Sequence, residues 1–322
     1  MLRTTISAFA SALLFSGIVS AQPTWKNIDS DFGPLPPAMH LFRTTDSLDG
    51  KPNIAFYIKV PLSDPGIVFD VDTALNRGLT PSAYFERNGN PLLVINCTFF
   101  SPERRNVNVV IDEGKMVSFN VPSVFSKEDS LYHYVTRSAL GIDRRRNADV
   151  AWVFTDSEKK RAYEMIYGPS VSSGRSSDPL AGEHKDNMSP DRGKAYRPWK
   201  MKTAVGGGPS LISNGEINIT NNQERMFAGK AINDRHPRTA MGYTSDGYLI
   251  ILSVEGRNPG RAEGASLVHM AEILRDLGCK EALNLDGGGS SCMLINGKET
   301  ITPSDKTGQR PVPAVFMIKK AE

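Results

Sequence analysis

Cysteine is scarce in this chain of 322 residues, which holds only Cys97, Cys279 and Cys292. An odd count leaves at least one thiol unpaired, and the spacing fits no metal motif. A disulfide scaffold is thereby excluded, and each cysteine reads as a small buried apolar side chain. A Cys279–Cys292 bridge is not expected. A charge excess is missing too: 38 Lys and Arg against 35 Asp and Glu leave a net charge of +3. That balance argues against nucleic acid as the main partner. The most basic cluster, Arg144-Arg145-Arg146, reads as a solvated hairpin tip. Apolar runs long enough to span a bilayer are absent beyond the N-terminus, so no membrane span is expected.

The N-terminus has the make-up of an export signal. Arg3 supplies the positive start, Ile6 to Val19 is apolar, and Val19-Ser20-Ala21 ends in small residues suited to cleavage. Residues 1–21 are therefore set apart as a signal peptide. No cysteine follows the cut, which argues against a lipid anchor. A periplasmic or extracellular location is expected.

The remainder reads as an extended lead-in over 22–52 and one large domain over 53–322, with a polar loop insertion over 169–198. β-branched and aromatic residues mark strands at Asn53 to Val60 and Gly66 to Val71. Thr80-Pro81 starts a helix over Ser82 to Asn88, ahead of a buried strand Leu92 to Ile95. Hairpins follow: Asn108 to Ile111 with Met116 to Phe119, and Ala139 to Ile142 with Val150 to Phe154. Leu249 to Val254 is a continuous apolar strand, Asn296-Gly297 is a hairpin turn after Cys292 to Ile295, and Val312 to Ile318 closes the chain. Two later helices are predicted. One is Ser157 to Ile166. The other is Ser266 to Leu277, where Leu267, Met270, Ile273, Leu274 and Leu277 share a face and Gly278 ends it. The fold class is α+β: mixed, hairpin-rich β-sheets flanked by a few helices in a single large domain.

Polar groups gather at the ends of expected buried strands in four places. These are Asn96-Cys97-Thr98-Phe99-Phe100, then Gly206-Gly207-Gly208-Pro209-Ser210, then Arg238-Thr239-Ala240 with Glu255-Gly256-Arg257, and finally Asn284-Leu285-Asp286-Gly287-Gly288-Gly289-Ser290-Ser291. Active sites are commonly built from loops on a rigid sheet. Neither glycine run continues into the Gly-Lys-Ser/Thr of a phosphate loop, so an ATPase or kinase is disfavoured. Ser290 lacks the Gly-x-Ser-x-Gly elbow of a nucleophile, and His236 and His269 have no distinguishing context. The carboxylates Glu255 and Asp286 are the better candidates. With Arg238 and Arg257 they suit an oxocarbenium-like transition state beside an anionic group, and salt bridging among the same four residues is the alternative.

In this order the segments resemble the phosphodiester glycosidase family. The family pattern is an Asn-Gly-x-Phe-Phe block, a Gly-Gly-Gly-Pro block followed by Asn-Gly, Pro-Arg-Thr-Ala, Asp-Gly-Arg, and Asn-Leu-Asp-Gly-Gly-Gly-Ser-Ser. This chain answers with Asn96 to Phe100, Gly206 to Pro209 followed by Asn214-Gly215, Pro237 to Ala240, Glu255 to Arg257, and Asn284 to Ser291. Cys97 stands where the family has glycine, and Glu255 where it has aspartate.

The resemblance implies hydrolysis of a sugar-1-phosphodiester, of the N-acetylglucosamine-1-phosphodiester kind, at the bond between C1 and oxygen. Asp286 would act at the anomeric carbon as base or nucleophile, with Glu255 as its partner. Arg238 and Arg257 would hold the phosphate. Asn96, Thr239, Gly207, Gly208, Asn284, Gly287, Gly288, Gly289, Ser290 and Ser291 would complete the binding surface. No cofactor is required, although Asp286 with backbone carbonyls could hold Ca²⁺. The partner would be a small molecule or glycan carrying a sugar phosphodiester. A phosphodiesterase cutting P–O and a non-catalytic glycan-binding protein of envelope or exopolysaccharide metabolism are the rival readings.

Overall fold

A computed structural model describes residues 22–74, 77–169, 171–177, 196–229 and 231–321. The signal-peptide segment 1–21 and the middle of the expected insertion, 178–195, lie outside the described residues. Most of the fold is sheet, in the α+β arrangement the sequence suggests, with four sheets and four α-helices among the described residues.

The largest sheet has eight strands, and its centre runs His40–Thr44, Ala55–Pro61, Tyr248–Val254, Arg238–Thr244, Cys279–Asn284, Ser210–Ser213. Both its faces are covered, which explains the unbroken apolar run at 249–254. Leu249 and Ile251 point into one cluster with Phe56, Ile58, Met241 and Leu283. Ile250, Leu252 and Val254 point the other way, against Met270, Ala271 and Leu274 of the helix Leu267–Asp276. That helix begins where Ser266 caps it: the serine hydroxyl accepts from the His269 N–H at 3.1 Å.

A five-stranded sheet lies across the first cluster. Leu93 and Ile95 of Leu93–Asn96, with Phe316 and Ile318 of Ala314–Lys320, meet the large sheet. Val94, Val315 and Met317 face outward, onto Tyr84 of the helix Pro81–Arg87. A seven-stranded sheet, which includes Arg137–Ile142, Ala148–Asp156 and Thr203–Gly206, adds Leu140 and Val205 to the same core. Ser123–Ser126, Leu131–Val135 and Val171–Gly174 form a small fourth sheet. Cys97, Cys279 and Cys292 are buried free thiols.

Four sequence expectations change in detail. The sheets are not mixed, because every registered strand pair among the described residues is antiparallel, as in Arg238 against Val254 and Phe316 against Ile95. The helix expected over 157–166 is instead a turn and the strand Arg161–Met165, paired with Ala148–Asp156. Here cross-strand packing overrides helix propensity. Phe154 stacks on Tyr163 at 5.5 Å, and the Asp156 carboxylate takes the Lys159 N–H at 2.9 Å. The lead-in supplies two strands of the large sheet, Lys26–Asn27 and His40–Thr44. The ends of the 169–198 stretch form the strands Val171–Gly174 and Tyr196–Pro198.

The arginine-rich tip is only partly solvated. Arg144 and Arg145 point outward, whereas Arg146 turns in and donates to the carbonyls of Leu62, Asp64 and Ile67. It thereby pins this hairpin to the edge of the core. Arg146→Ala should lower stability by about 1–3 kcal/mol, because three carbonyls lose a charged donor. Urea unfolding measures this, and an unchanged midpoint would show the tie to be idle.

Candidate active site

Antiparallel register brings the polar blocks to one end of the large sheet. Arg238 is opposite Val254, Ala240 opposite Asn284, and Val254 opposite Ala55. The segments that leave these strands are then cross-linked through backbone. Asp286 N–H donates to the Cys97 carbonyl at 2.9 Å, Leu285 N–H to Thr239 at 2.8 Å, Gly288 N–H to Pro237 at 2.8 Å, and Gly208 N–H to Asn284 at 2.8 Å.

Asn96 sits behind this junction, fully buried. Its amide Nδ2 donates to the Asp286 carbonyl at 2.6 Å, and its Oδ1 accepts from Thr239 Oγ1 at 2.9 Å and Cys292 N at 3.1 Å. Thr239 and Ser291 are equally buried. These residues hold the site's backbone from the interior side. Asn284 donates from Nδ2 to the Gly208 carbonyl at 2.9 Å, and its Oδ1 is buried without a partner among the described residues.

Glycine is required in both runs by close approach. A Cβ on Gly207 would meet the Asn284 carbonyl at 2.5 Å, and one on Gly208, at φ +124°, would meet the Glu224 carboxylate at 2.7 Å. In the second run the neighbours are different. A Cβ on Gly287 would meet the Pro237 carbonyl at 2.8 Å, one on Gly288 the Arg257 guanidinium at 2.9 Å, and one on Gly289 the Arg310 guanidinium at 2.2 Å. Two arginines thus lie directly on the bare backbone that follows Asp286.

Asp286 is half-buried. Its Oδ1 accepts from the Gly287 N–H at 2.9 Å. Burial pushes its pKa up to about 6, against the pull of hydrogen bonds from Ser290 and Gly287 and of the Arg310 charge. Arg257 is exposed, in a left-handed conformation at φ 61°, and forms no ion pair among the described residues. Arg238 is buried. It gives Nε to the Ala265 carbonyl at 3.1 Å and Nη2 to those of Ala231 and Asp234, and it lies 5.9 Å from the Phe227 ring. Desolvation lowers its pKa to about 10, against the favourable charge of Asp234, and the like charge of Arg257 adds to the lowering. Phe227 in turn packs edge-on against Phe99.

Glu255 is brought to the same sheet end, but no hydrogen bond or ion pair joins it to Asp286 among the described residues. Its side chain is buried, with Oε2 accepting from the Thr302 N–H at 3.0 Å and Oε1 lying 3.5 Å from Arg261 Nη2. Arg310 and Glu224 escaped the sequence reading, which named His236 only to set it aside. Arg310, paired with Asp305 at 2.7 Å, lies outside every polar block. His236 precedes the Pro-Arg-Thr-Ala block; its Nδ1 is buried and unpartnered among the described residues. Burial and then the charges of Arg238 and Arg257 hold its pKa below the usual value. Glu224 is fully buried and takes N–H bonds from Ser138 at 2.7 Å and Ser210 at 2.8 Å, fixing the Gly206-Gly207-Gly208 segment. Its one detectable signal was a carboxylate shortly after that run.

At the end of the large sheet, a carboxyl whose pKa is raised to about 6 thus lies on one platform with two guanidinium groups. That of Arg257 has no carboxylate partner among the described residues, and that of Arg310 is paired with Asp305. The family profile for phosphodiester glycosidase matches residues 89–319, and the chain belongs to that family of hydrolases. N-acetylglucosamine-1-phosphodiester alpha-N-acetylglucosaminidase of Mus musculus is 38% identical over 103 residues, which are 30% of this chain and 20% of the mouse protein. The Bacillus subtilis prophage-derived protein YomE is 42% identical over 81 residues, 25% of this chain and 12% of that protein. Each curated match therefore spans only a minor part of the relative's length. Two solved structures share the fold. A hypothetical protein from Synechocystis has a TM-score of 0.60 at 16% identity, covering 93% of this chain and 64% of that one. The catalytic domain of zebrafish N-acetylglucosamine-1-phosphodiester alpha-N-acetylglucosaminidase, auto-inhibited by its pro-peptide, has a TM-score of 0.57 at 18% identity, covering 94% and 89%. No helix among the described residues is long and apolar enough to cross a membrane.

The two kinds of glycine contact separate by mutation. Gly287→Ala presses on a backbone carbonyl and should cost about 1–3 kcal/mol of stability. Gly289→Ala meets the Arg310 guanidinium, a side-chain end that can swing aside by giving up Asp305, so it should cost less stability than Gly287→Ala while weakening ligand binding. Thermal melts of the two variants check this ordering; a reversed order would refute the platform geometry.

Proposed function

We propose that the chain hydrolyses a sugar-1-phosphodiester at the C1–O bond, with N-acetylglucosamine-1-phosphodiesters as the substrate class. The observation that carries this reading is Asp286, a carboxyl near pKa 6 set into a glycine platform under Arg257 and Arg310. A phosphate monoester is a good leaving group, so its departure depends less on protonation than on charge neutralisation. Arg257, with its guanidinium unpaired among the described residues, takes the phosphate. Arg310, already held by Asp305 and 3.5 Å from Ser290 Oγ, adds positive potential beside it. Arg238 has spent Nε and Nη2 on carbonyls, which leaves Nη1 for the ligand. The sugar lies beside Gly287 and Gly288, which are only partly buried, with C1 facing Asp286, while Gly289 is buried under Arg310. Asp286 then serves as base toward water or as the nucleophile.

The pH dependence follows from the direction of the shift. Below about 6 the carboxyl is protonated and unable to act as base or nucleophile; above it, the group is ionised. Activity should therefore rise about tenfold per pH unit up to that value and level off above it. Asp286→Asn should remove about 10²–10⁴-fold of kcat. Its melting temperature at pH 8 should not fall, since the variant avoids a desolvated charge. A rate that falls as pH rises through 6 would make Asp286 an acid, and a folded variant with full turnover would remove it from the reaction.

No cofactor is part of this proposal. The guanidinium groups on Gly288 and Gly289 repel a cation beside Asp286, which disfavours Ca²⁺ there. Hydrolysis in ¹⁸O-water should place label in the sugar, at the same rate with or without a chelator. Label in the phosphate would instead establish P–O cleavage, and calcium-restored activity would establish a metal.

A further inference from the structure

The strands that deliver the active site have a second end, and it carries its own charge pattern. Arg238–Thr244 puts Arg238 at the site and Thr244 at the far pole. The neighbouring Cys279–Asn284 likewise has Asn284 at the site and Cys279 at the far pole. Seven residues at about 3.3 Å each separate the poles by about 20 Å. Beside the seven-stranded sheet lies a cavity of 580 Å³ lined by Trp199, Met201, Arg144, Arg145, Lys160, Arg161 and Lys200, none of them a residue of the candidate site. None of these five cations forms an ion pair among the described residues. The one acid in the lining, Asp143, is already occupied: its Oδ1 accepts from the Arg145 and Asn147 N–H groups at 2.7 and 2.9 Å. A second cavity of 660 Å³ shares Arg145 and continues toward Tyr248 and Lys280.

We infer that these two cavities, joined at Arg145, form a non-catalytic groove that holds a polyanionic glycan through its repeated phosphates. Unpaired cations along a groove repel one another unless an anion bridges them, and a chain with regularly spaced charges meets them better than a single ion. A nucleic acid fits less well. Binding single strands relies on aromatic faces for stacking, whereas Trp199 is 3% exposed and its indole N–H is given to Asp149 at 2.7 Å. The inward tie of Arg146 holds the tip so that Arg144 and Arg145 face outward as a fixed pair. The choice of phosphate-bearing glycan rests on the proposed activity, whereas the cationic groove does not.

The test is affinity electrophoresis of the full chain through gels containing a poly(glycosyl phosphate) or neutral dextran. The anionic polymer should retard the protein and dextran should not. The triple variant Arg144→Ser, Lys160→Ser, Lys200→Ser should lose at least about tenfold in affinity and show a shallower salt dependence. Its turnover of a small chromogenic sugar phosphodiester should match the parent's. Asp286→Asn should lose turnover and keep polymer binding. The inference fails if the triple variant binds as tightly as the parent or if dextran retards equally. It fails as well if an oligonucleotide with the same number of phosphates binds more tightly than the glycan. Loss of polymer binding in Asp286→Asn would place the polymer in the active site and leave the proposed reaction standing. Absence of turnover in the parent would overturn that reaction without touching the binding result.

Discussion

One buried amide sets the geometry on which the candidate site depends. Asn96 ends a strand of the five-stranded sheet, yet its side chain reaches Asp286, Thr239 and Cys292. Together with the Asp286 N–H to Cys97 carbonyl bond, it adds directed contacts to a junction between two sheets that is largely apolar. An apolar core fixes separation well and register poorly, since dispersion contacts are non-directional. The bonds to Asp286 and Thr239 cross this junction and supply the missing register, and an unmade partner at a buried amide would be costly. The carbonyl of Asp286 is therefore fixed from behind, while its carboxyl faces the ligand side.

Two carboxylates near this junction illustrate opposite uses of burial. Glu224 is surrounded by donors, with Ser138 supplying both N–H and hydroxyl, Ser210 its N–H and Thr220 its hydroxyl. Both its oxygens accept from protein donors, so it serves as a structural centre beneath the first glycine run. Asp286 has fewer donors, and burial pushes its pKa up to about 6. A group whose charge the fold leaves partly unmet is one whose protonation can change during a reaction. The different fates of the two glycine runs follow from this contrast: one packs around a satisfied acid, and the other exposes backbone beside an unsatisfied one.

Much of the fold was legible because its signals are local. The two-sided burial of 249–254, the cap at Ser266 and the Asn296-Gly297 turn each carry their cause within a few residues. The segment 157–166 failed for the complementary reason: its strand pairing depends on Phe154 stacking with Tyr163, a contact invisible to helical propensity. The blocks around Asn96, Arg238 and Asp286 were legible as polar groups at strand ends, and the structure joins them. Arg310 was not, because only folding returns the segment before the last strand to Gly289. Nor could sequence separate Asn96 and Thr239, which support the backbone from within, from Arg257, which stands open to solvent.

Glu255 gains a structural context from the same long-range geometry. Its carboxylate takes the Thr302 N–H and lies near Arg261, which also donates to the Thr302 hydroxyl at 3.2 Å. Thr302 opens the segment that carries Asp305 and Arg310, and Asp305 holds the guanidinium that covers Gly289. A chain of contacts thus runs from the end of the central strand, through Glu255 and the 302–310 segment, back to the platform beside Asp286. Glu255 thereby reaches the segment that sets Arg310 on Gly289, although it makes no contact with Asp286 among the described residues.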